Sequence, residues 1–334
     1  MSSGDRARRT HGMRGYTIME ICVVLILMTG MSLIVERTLT STNRADAYMR
    51  ALRRAKQNSE TISYTVYEAV SASRRLFDND DVGRGYLAAL DLSRHPMAAS
   101  SRLPRIDEIN PLGPDTPGDP RTGNALFFVR EVDPIVACAD LTKFPQRMID
   151  VYHFVCCYPE QTDRLLLTAD SHEAKDLVVW YSVAFPSYQQ IMAINDANEQ
   201  LKLLEVLRET YGFDYVWDVC CPVDEAFFRI NENGQLSTLP EPDFLIPEDP
   251  AISDGGLLAH RDAQLARTDT GQRLQRGVFT VDSPATWVPD GFEVKITCAS
   301  GHRKVWIHTV VETGALRGES ALHGSTLIAS VRDL

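Results

Sequence analysis

The chain has 334 residues, 44% hydrophobic and 24% charged, with a net charge of −11. That composition belongs to a folded protein with a sizeable core and excludes a largely disordered chain. The acidic balance argues against a broad nucleic-acid surface, which needs clustered Lys and Arg, so no nucleic-acid partner is expected.

Residues 1–15 form a basic leader. Arg6, Arg8, Arg9 and Arg14 against Asp5 give a local +3, which leaves −14 on the rest. An apolar run follows: Ile21 to Val35 carries no charge, and the 20 residues from Tyr16 to Val35 contain one, Glu20. This is the length of a bilayer-spanning helix, roughly 20 residues at ~1.5 Å each. The order of parts is not that of a secretory signal. The basic part ends in glycine before the apolar run, and Glu36, Arg37 and Thr38 stand where a small-residue cleavage site would be.

The junction Arg14-Gly15-Tyr16-Thr17-Ile18-Met19-Glu20 resembles the prepilin signal of type IV pilins and pseudopilins, in their large minor-pilin form. The resemblance covers residues 14–77. It implies an α+β fold, in which a long N-terminal transmembrane helix packs its second half on a mainly antiparallel β-sheet domain with loop insertions. It implies cleavage after Gly15 by prepilin peptidase and N-methylation of Tyr16, where the family usually has Phe. It also implies an assembly role for Glu20, fifth in the mature chain, facing the amine of Tyr16 in a neighbouring subunit.

A carboxylate at the centre of a membrane helix costs about 2.5–3.5 kcal/mol. Near the helix start that cost falls, and the dipole favours the charge. A buried ion pair there fixes register more than it stabilises. The implied partners are the peptidase, other pilin or pseudopilin subunits and the bacterial inner membrane, crossed once. The leader arginines keep the N-terminus cytoplasmic, and the large domain lies outside. Arg37, Arg44, Arg50, Arg53, Arg54 and Lys56 run against that rule, but long domains cross largely regardless of charge.

No proline precedes Pro96, and Gly30 is the one glycine between Tyr16 and Phe77. One helix is therefore expected over residues 16–77, with 16–36 in the membrane and 37–77 as its amphipathic continuation. Tyr48, Leu52, Ala55, Ser59, Ile62, Val66, Ala69, Ser73 and Leu76 recur at steps of four and three. Such a stripe packs a helix on its own domain; a coiled coil with another protein is the alternative.

Residues 78–123 read as the helix end and a proline-rich loop, with a short helix over Gly85–Asp91. Residues 124–334 read as a β-rich extracytoplasmic domain. Its strands are expected at Ala125–Val132, Val151–Cys157, Arg164–Thr168, Asp176–Phe185, Tyr215–Val219, Ala226–Ile230, Val278–Val281, Phe292–Cys298, Lys304–Glu312 and Thr326–Arg332. A helix is expected over Asn198–Tyr211, with Asp196 as its cap. Gly123-Asn124-Ala125-Leu126-Phe127-Phe128-Val129 resembles the first sheet strand of the larger minor pilins.

Of seven cysteines, Cys22 falls in the span. Cys138, Cys156, Cys157, Cys220, Cys221 and Cys298 lie outside it, and an oxidising compartment permits up to three disulfides among them, of open connectivity. Neighbours on a strand point to opposite faces, so Cys156 and Cys157 are not expected to bridge each other. Adjacent cysteines are not zinc-ligand spacing, even with His153 nearby. Asp78-Asn79-Asp80-Asp81 has oxygen ligands but no calcium loop around it, and reads as a solvated helix end. His302 and His308 read as structural. With no phosphate loop, nucleophile elbow or metalloprotease motif, no catalytic constellation is found, and no cofactor or metal is expected. The leading reading is a structural and assembly subunit of a type IV pilus or a type II secretion-like filament. The second is a membrane-anchored binding or adhesion domain using a pilin-type anchor, and the third an anchored hydrolase.

Overall fold

The computed structural model describes residues 17–99, 101–106, 122–166, 172–239, 246–247, 249, 264–265, 291–299, 302–314 and 320–331. For residues 122, 161–166, 172–174, 264–265, 298–299 and 320 it describes the backbone alone. The chain divides into two compact units, Met1–Met49 and Arg50–Leu334. A single helix, α1 (Ile18–Ser71), supplies the described secondary structure of the first and opens the second. The remainder is α+β, with antiparallel sheets.

Within the second unit, α1 buries Ala51, Ala55, Ser59, Ile62, Ser63, Val66, Ala69 and Val70. The expected stripe therefore holds from Ala55 to Ala69. Its upstream end is corrected: Tyr48 is 39% exposed, Leu52 is half-buried, and the smaller Ala51 faces inward. Ile62, Val66, Ala69 and Val70 share a core with Leu126, Phe128, Val155, Leu177, Val294 and Ile307.

Part of this interface is polar. Ser63 Oγ lies 2.7 Å from Thr309 Oγ1 and 2.5 Å from Ser325 Oγ, and Ser59 Oγ donates to Ser325 Oγ at 2.9 Å. Small hydroxyls let a helix approach a strand closely, and their mutual bonds offset the desolvation they suffer.

The C-terminal end of the expected helix is also corrected. α1 stops at Ser71, and Ser73–Phe77 is a strand, β1. Leu76 and Phe77 explain the switch. On a strand they point to opposite faces, so Leu76 joins the helix-side core and Phe77 the core behind the sheet. Phe77 stacks on Phe127 with ring centroids 4.5 Å apart. A further helical turn could bury only one of the two.

The main sheet contains β1, β2 (Thr122–Gly123), β3 (Leu126–Ala137), β4 (Arg147–Leu166), β5 (His172–Tyr181), β6 (Phe185–Pro186), β10 (Gln264–Leu265), β11 (Phe292–Ala299), β12 (His302–Gly314) and β13 (Ser320–Val331). Its order is β1-β3-β4-β5-β10-β12-β11-β2, with β13 on β12 and β6 on β4. Leu126-Phe127-Phe128-Val129 is wholly buried, because both faces of β3 are covered, and that is why it reads as an unbroken apolar run. The strand expected at Arg164–Thr168 is the end of β4, which continues past an irregularity between Gln161 and Leu165. The strand expected at Val278–Val281 and most of the proline-rich loop lie outside the described residues.

Behind the sheet sits an aromatic core of Phe77, Tyr86, Phe127, Phe154, Phe185 and Trp217. Tyr86 comes from α2 (Asp81–Ala88), which begins and ends earlier than expected because Asp80 caps it, accepting from the Gly83 N–H at 2.6 Å. The last layer is α3 (Tyr188–Met192), α4 (Ala197–Glu209), α5 (Val223–Ala226) and a three-stranded sheet of β7 (Tyr215–Trp217), β8 (Phe227–Ile230) and β9 (Leu236–Thr238). Asp196 caps α4 as expected, accepting from Asn198 N–H at 2.8 Å. Arg147 on β4 grips Glu199 with two bonds of 2.8 and 3.1 Å, which fastens α4 to the main sheet.

Candidate functional site at the start of the N-terminal helix

The first described residue, Thr17, is also the helix cap. Its backbone N–H donates to Glu20 Oε2 at 2.9 Å, and Glu20 N–H donates to Thr17 Oγ1 at 3.3 Å. This is a reciprocal capping box of the Thr-x-x-Glu type, which satisfies two of the donors that a helix start leaves open. The pattern Thr17-Ile18-Met19-Glu20 carries that signature, yet the sequence reading used Glu20 alone and passed over Thr17. Glu20 thus already has a structural task within its own chain. Gly15 and Tyr16 lie outside the described residues.

Past the box, α1 is apolar and bare. Its best 18-residue window has a mean hydropathy of 2.5 and no buried residue. Leu25, Ile26, Leu27, Met28, Met31 and Ile34 are each more than half exposed. In water such a surface would cost free energy at roughly 25 cal/mol per Å², so it belongs in a lipid or protein environment. Among the described residues, one helix is long and apolar enough to cross a membrane, which suits a membrane anchor. Thr29 bends its hydroxyl back to Leu25 O at 2.8 Å, which removes a polar group from the apolar surface.

The six described cysteine side chains, Cys22, Cys138, Cys156, Cys157, Cys220 and Cys221, are free thiols; that of Cys298 lies outside the described residues. The disulfide expected among the cysteines that follow the apolar run is therefore absent from the described set. Cys156 and Cys157 face opposite sides of β4, one in each core. Burial pushes the Cys156 thiol well up and that of Cys157 to about 12. Thiols held protonated are inert towards exchange and metals.

Among the described residues no three His, Cys, Asp or Glu side chains stand together as metal ligands. Asp80 and Asp81 open α2. His308 is buried, with Nδ1 2.5 Å from Thr326 Oγ1, while His302 is exposed at the start of β12. His153 meets the Ser182 carbonyl through Nδ1 at 2.5 Å.

Two clefts remain. One, of about 460 Å³, is lined by Arg75, Asp78, Asp80, Val219, Cys220 and Arg303 among others. Arg75 donates to Val219 O and lies over the Phe77 and Tyr86 rings, so it is committed to structure. Burial, and then the neighbouring Asp80, raise the Asp78 carboxyl above its ordinary value.

A carboxyl whose folded pKa is raised destabilises the fold at pH above its ordinary value, and does so no longer once protonated. Asp78→Asn should therefore raise Tm slightly at pH 7. The gain should fade as pH falls through the raised pKa towards about 4. A thermal-melt series against pH checks this; an equal gain at every pH would refute it. The second cleft, of about 610 Å³, lies beside Ser73, Arg74, Arg130 and Glu131, where Arg74 pairs with Glu131.

Compared with protein-family models, curated proteins and solved structures, the chain matches none.

Proposed function

We propose that the chain is a minor pilin or pseudopilin: a structural and assembly subunit of a type IV pilus or type II secretion-like filament, cut after Gly15 by prepilin peptidase. One observation carries the reading. A basic leader ends at Gly15, Tyr16 follows, and Glu20 stands at a fixed offset at the mouth of an uninterrupted apolar helix. A plain signal anchor needs the basic residues and the apolar run, but neither the glycine nor a carboxylate at that offset.

The helix that follows is suited to two environments in turn. Its bare first part fits lipid before assembly and the helical core of a filament afterwards. Its second part shares a core with strands of an antiparallel sheet, which supports the reading. The subunit's large domain favours a minor over a major role, since bulky domains pack poorly in a repeating shaft.

Mass spectrometry of the mature N-terminus tests the proposal. Cleavage after Gly15 with N-methyl-tyrosine at Tyr16 is expected. An intact Met1, or a cut after Val35, would leave a membrane-anchored binding domain as the better reading.

A further inference from the structure

Two of the described thiols differ from the rest. Cys156 and Cys157 are sealed in the two cores. Cys138 is half-buried and donates its S–H to Phe144 O at 3.3 Å, and Cys22 lies on the apolar helix. Cys220 is exposed, and Cys221, its neighbour in sequence, is half-buried. Both lie in the turn between β7 and α5. On a strand, neighbours point to opposite faces, which keeps Cys156 and Cys157 apart. A turn imposes no such alternation.

The turn is anchored at both ends. Asp218 N–H donates to Ala226 O at 2.7 Å, and Cys220 N–H donates to Asp218 Oδ1 at 3.0 Å. Arg75 holds the Val219 carbonyl, and Tyr86 donates its hydroxyl to Cys221 O at 2.8 Å. Gln189 Nε2 donates to Cys220 Sγ at 2.9 Å and to Asp218 Oδ1 at 3.2 Å, which fixes the Cys220 sulfur. Burial, and then the Asp218 carboxylate, raise the Cys221 thiol above its ordinary value. The pair is therefore unequal. One thiol is open to a reagent, and the other is set back and held protonated.

Adjacency decides what such a pair can form. Consecutive Cα atoms are about 3.8 Å apart, below the usual disulfide range of about 4.4–6.8 Å. A bond closed across that step is strained, and strained or exposed disulfides are the readily reduced ones. The pair thus suits reversible oxidation better than a permanent staple. Cys220 also lines the cleft of about 460 Å³, a volume that suits a small molecule.

We propose that Cys220 and Cys221 form a reversible oxidation site whose oxidant is a low-molecular-weight disulfide. The Cys220 thiolate attacks one sulfur of the oxidant. The S–S bond breaks, and the other sulfur leaves with the electron pair and takes up a proton. Cys221 then gives up its proton and attacks the Cys220 sulfur of the mixed disulfide, and the second thiol leaves in the same way. The protein thiols lose two electrons and two protons, and the oxidant gains both as it becomes two thiols. Val219 and Cys220 form part of the cleft wall, so closing the pair remodels that wall. The site depends on neither cleavage after Gly15 nor filament assembly.

Full chain in detergent, reduced and then freed of reductant, is treated with oxidised glutathione and its peptides are mapped by mass. In wild type, the peptide holding Cys220 and Cys221 should lose two hydrogens, retain no glutathione and resist alkylation until reduced. Added reduced glutathione should restore both thiols. Cys221→Ser should stop at a glutathione adduct on Cys220, because the resolving thiol is gone. Cys220→Ser should react at this turn at least tenfold more slowly than wild type, since only the set-back thiol remains. The Cys221→Ser adduct also shows that the turn tolerates substitution. A lasting adduct on wild type would overturn the proposal. So would a disulfide from either residue to another cysteine, undiminished reaction of Cys220→Ser, or no oxidation of the wild-type pair.

Discussion

Glu20→Ala should leave the chain in the membrane and lower its incorporation into filaments at least tenfold. The expectation joins two effects of one carboxylate. In its own chain, Glu20 closes the capping box with Thr17, and losing a cap costs a helix about 1 kcal/mol. In an assembled filament the same carboxylate would meet a neighbour's N-terminal amine in a dry setting. Removing one partner of a buried charge pair there costs about 3–5 kcal/mol, because the other is left uncompensated. Each 1.4 kcal/mol is about tenfold in an equilibrium, so the pairing effect dominates the cap.

Glu20→Gln separates the two. Glutamine serves a capping box as well as glutamate does, but it carries no charge to pair with an amine. If pairing is the function, Glu20→Gln should fail in assembly nearly as badly as Glu20→Ala. If capping is, it should assemble normally. Immunoblots of sheared filaments against membrane fractions read the ratio, with membrane levels of both variants as the control. Normal assembly of Glu20→Gln would defeat the pairing role and leave the capping role standing.

What could be read from the sequence, and what could not, divides along a physical line. Features set by neighbours along the chain were legible. The span, the Ala55–Ala69 stripe and α4 with its Asp196 cap all depend on residues within a few positions of one another. Features set by remote partners were not. Ser73–Phe77 continues the helical stripe in sequence, yet β3, some 50 residues away, pulls it into the sheet. Nothing near Ser59 and Ser63 foretells Thr309 and Ser325, about 250 residues on. The Arg147–Glu199 pair is equally non-local. The site at the helix start was legible except for Thr17, whose capping signature sat in plain view but was eclipsed by the glutamate beside it.

The aromatic core behind the sheet is the other remote feature, and it bears the largest expected effect on stability. Phe154→Ala should cost the body about 3–5 kcal/mol, the range for deleting a buried aromatic ring. Phe154 is fully buried. Its ring lies 4.9 Å from that of Trp217, 5.7 Å from both Tyr86 and Phe185, and 5.9–6.3 Å from Phe227, Phe127 and Phe77. Several of these contacts are edge-on or tilted, the geometries that add about 0.5–1.5 kcal/mol to area burial.

The neighbours cannot collapse into the vacancy. They are rigid rings fixed to β1, α2, β3, β6, β7 and β8, and moving any one would break its own strand or helix register. The cavity therefore persists, and the cost falls towards the upper end of the range. Met148→Ala is the control: it lies on the same strand, six residues away and 64% exposed, and should shift stability by no more than about 0.5 kcal/mol. Urea midpoints of the full chain in detergent measure both. A loss within about 1 kcal/mol for Phe154→Ala would mean that the rings do close the gap. The aromatic cluster would then be a filler rather than the hub joining the main sheet, α2 and the three-stranded sheet.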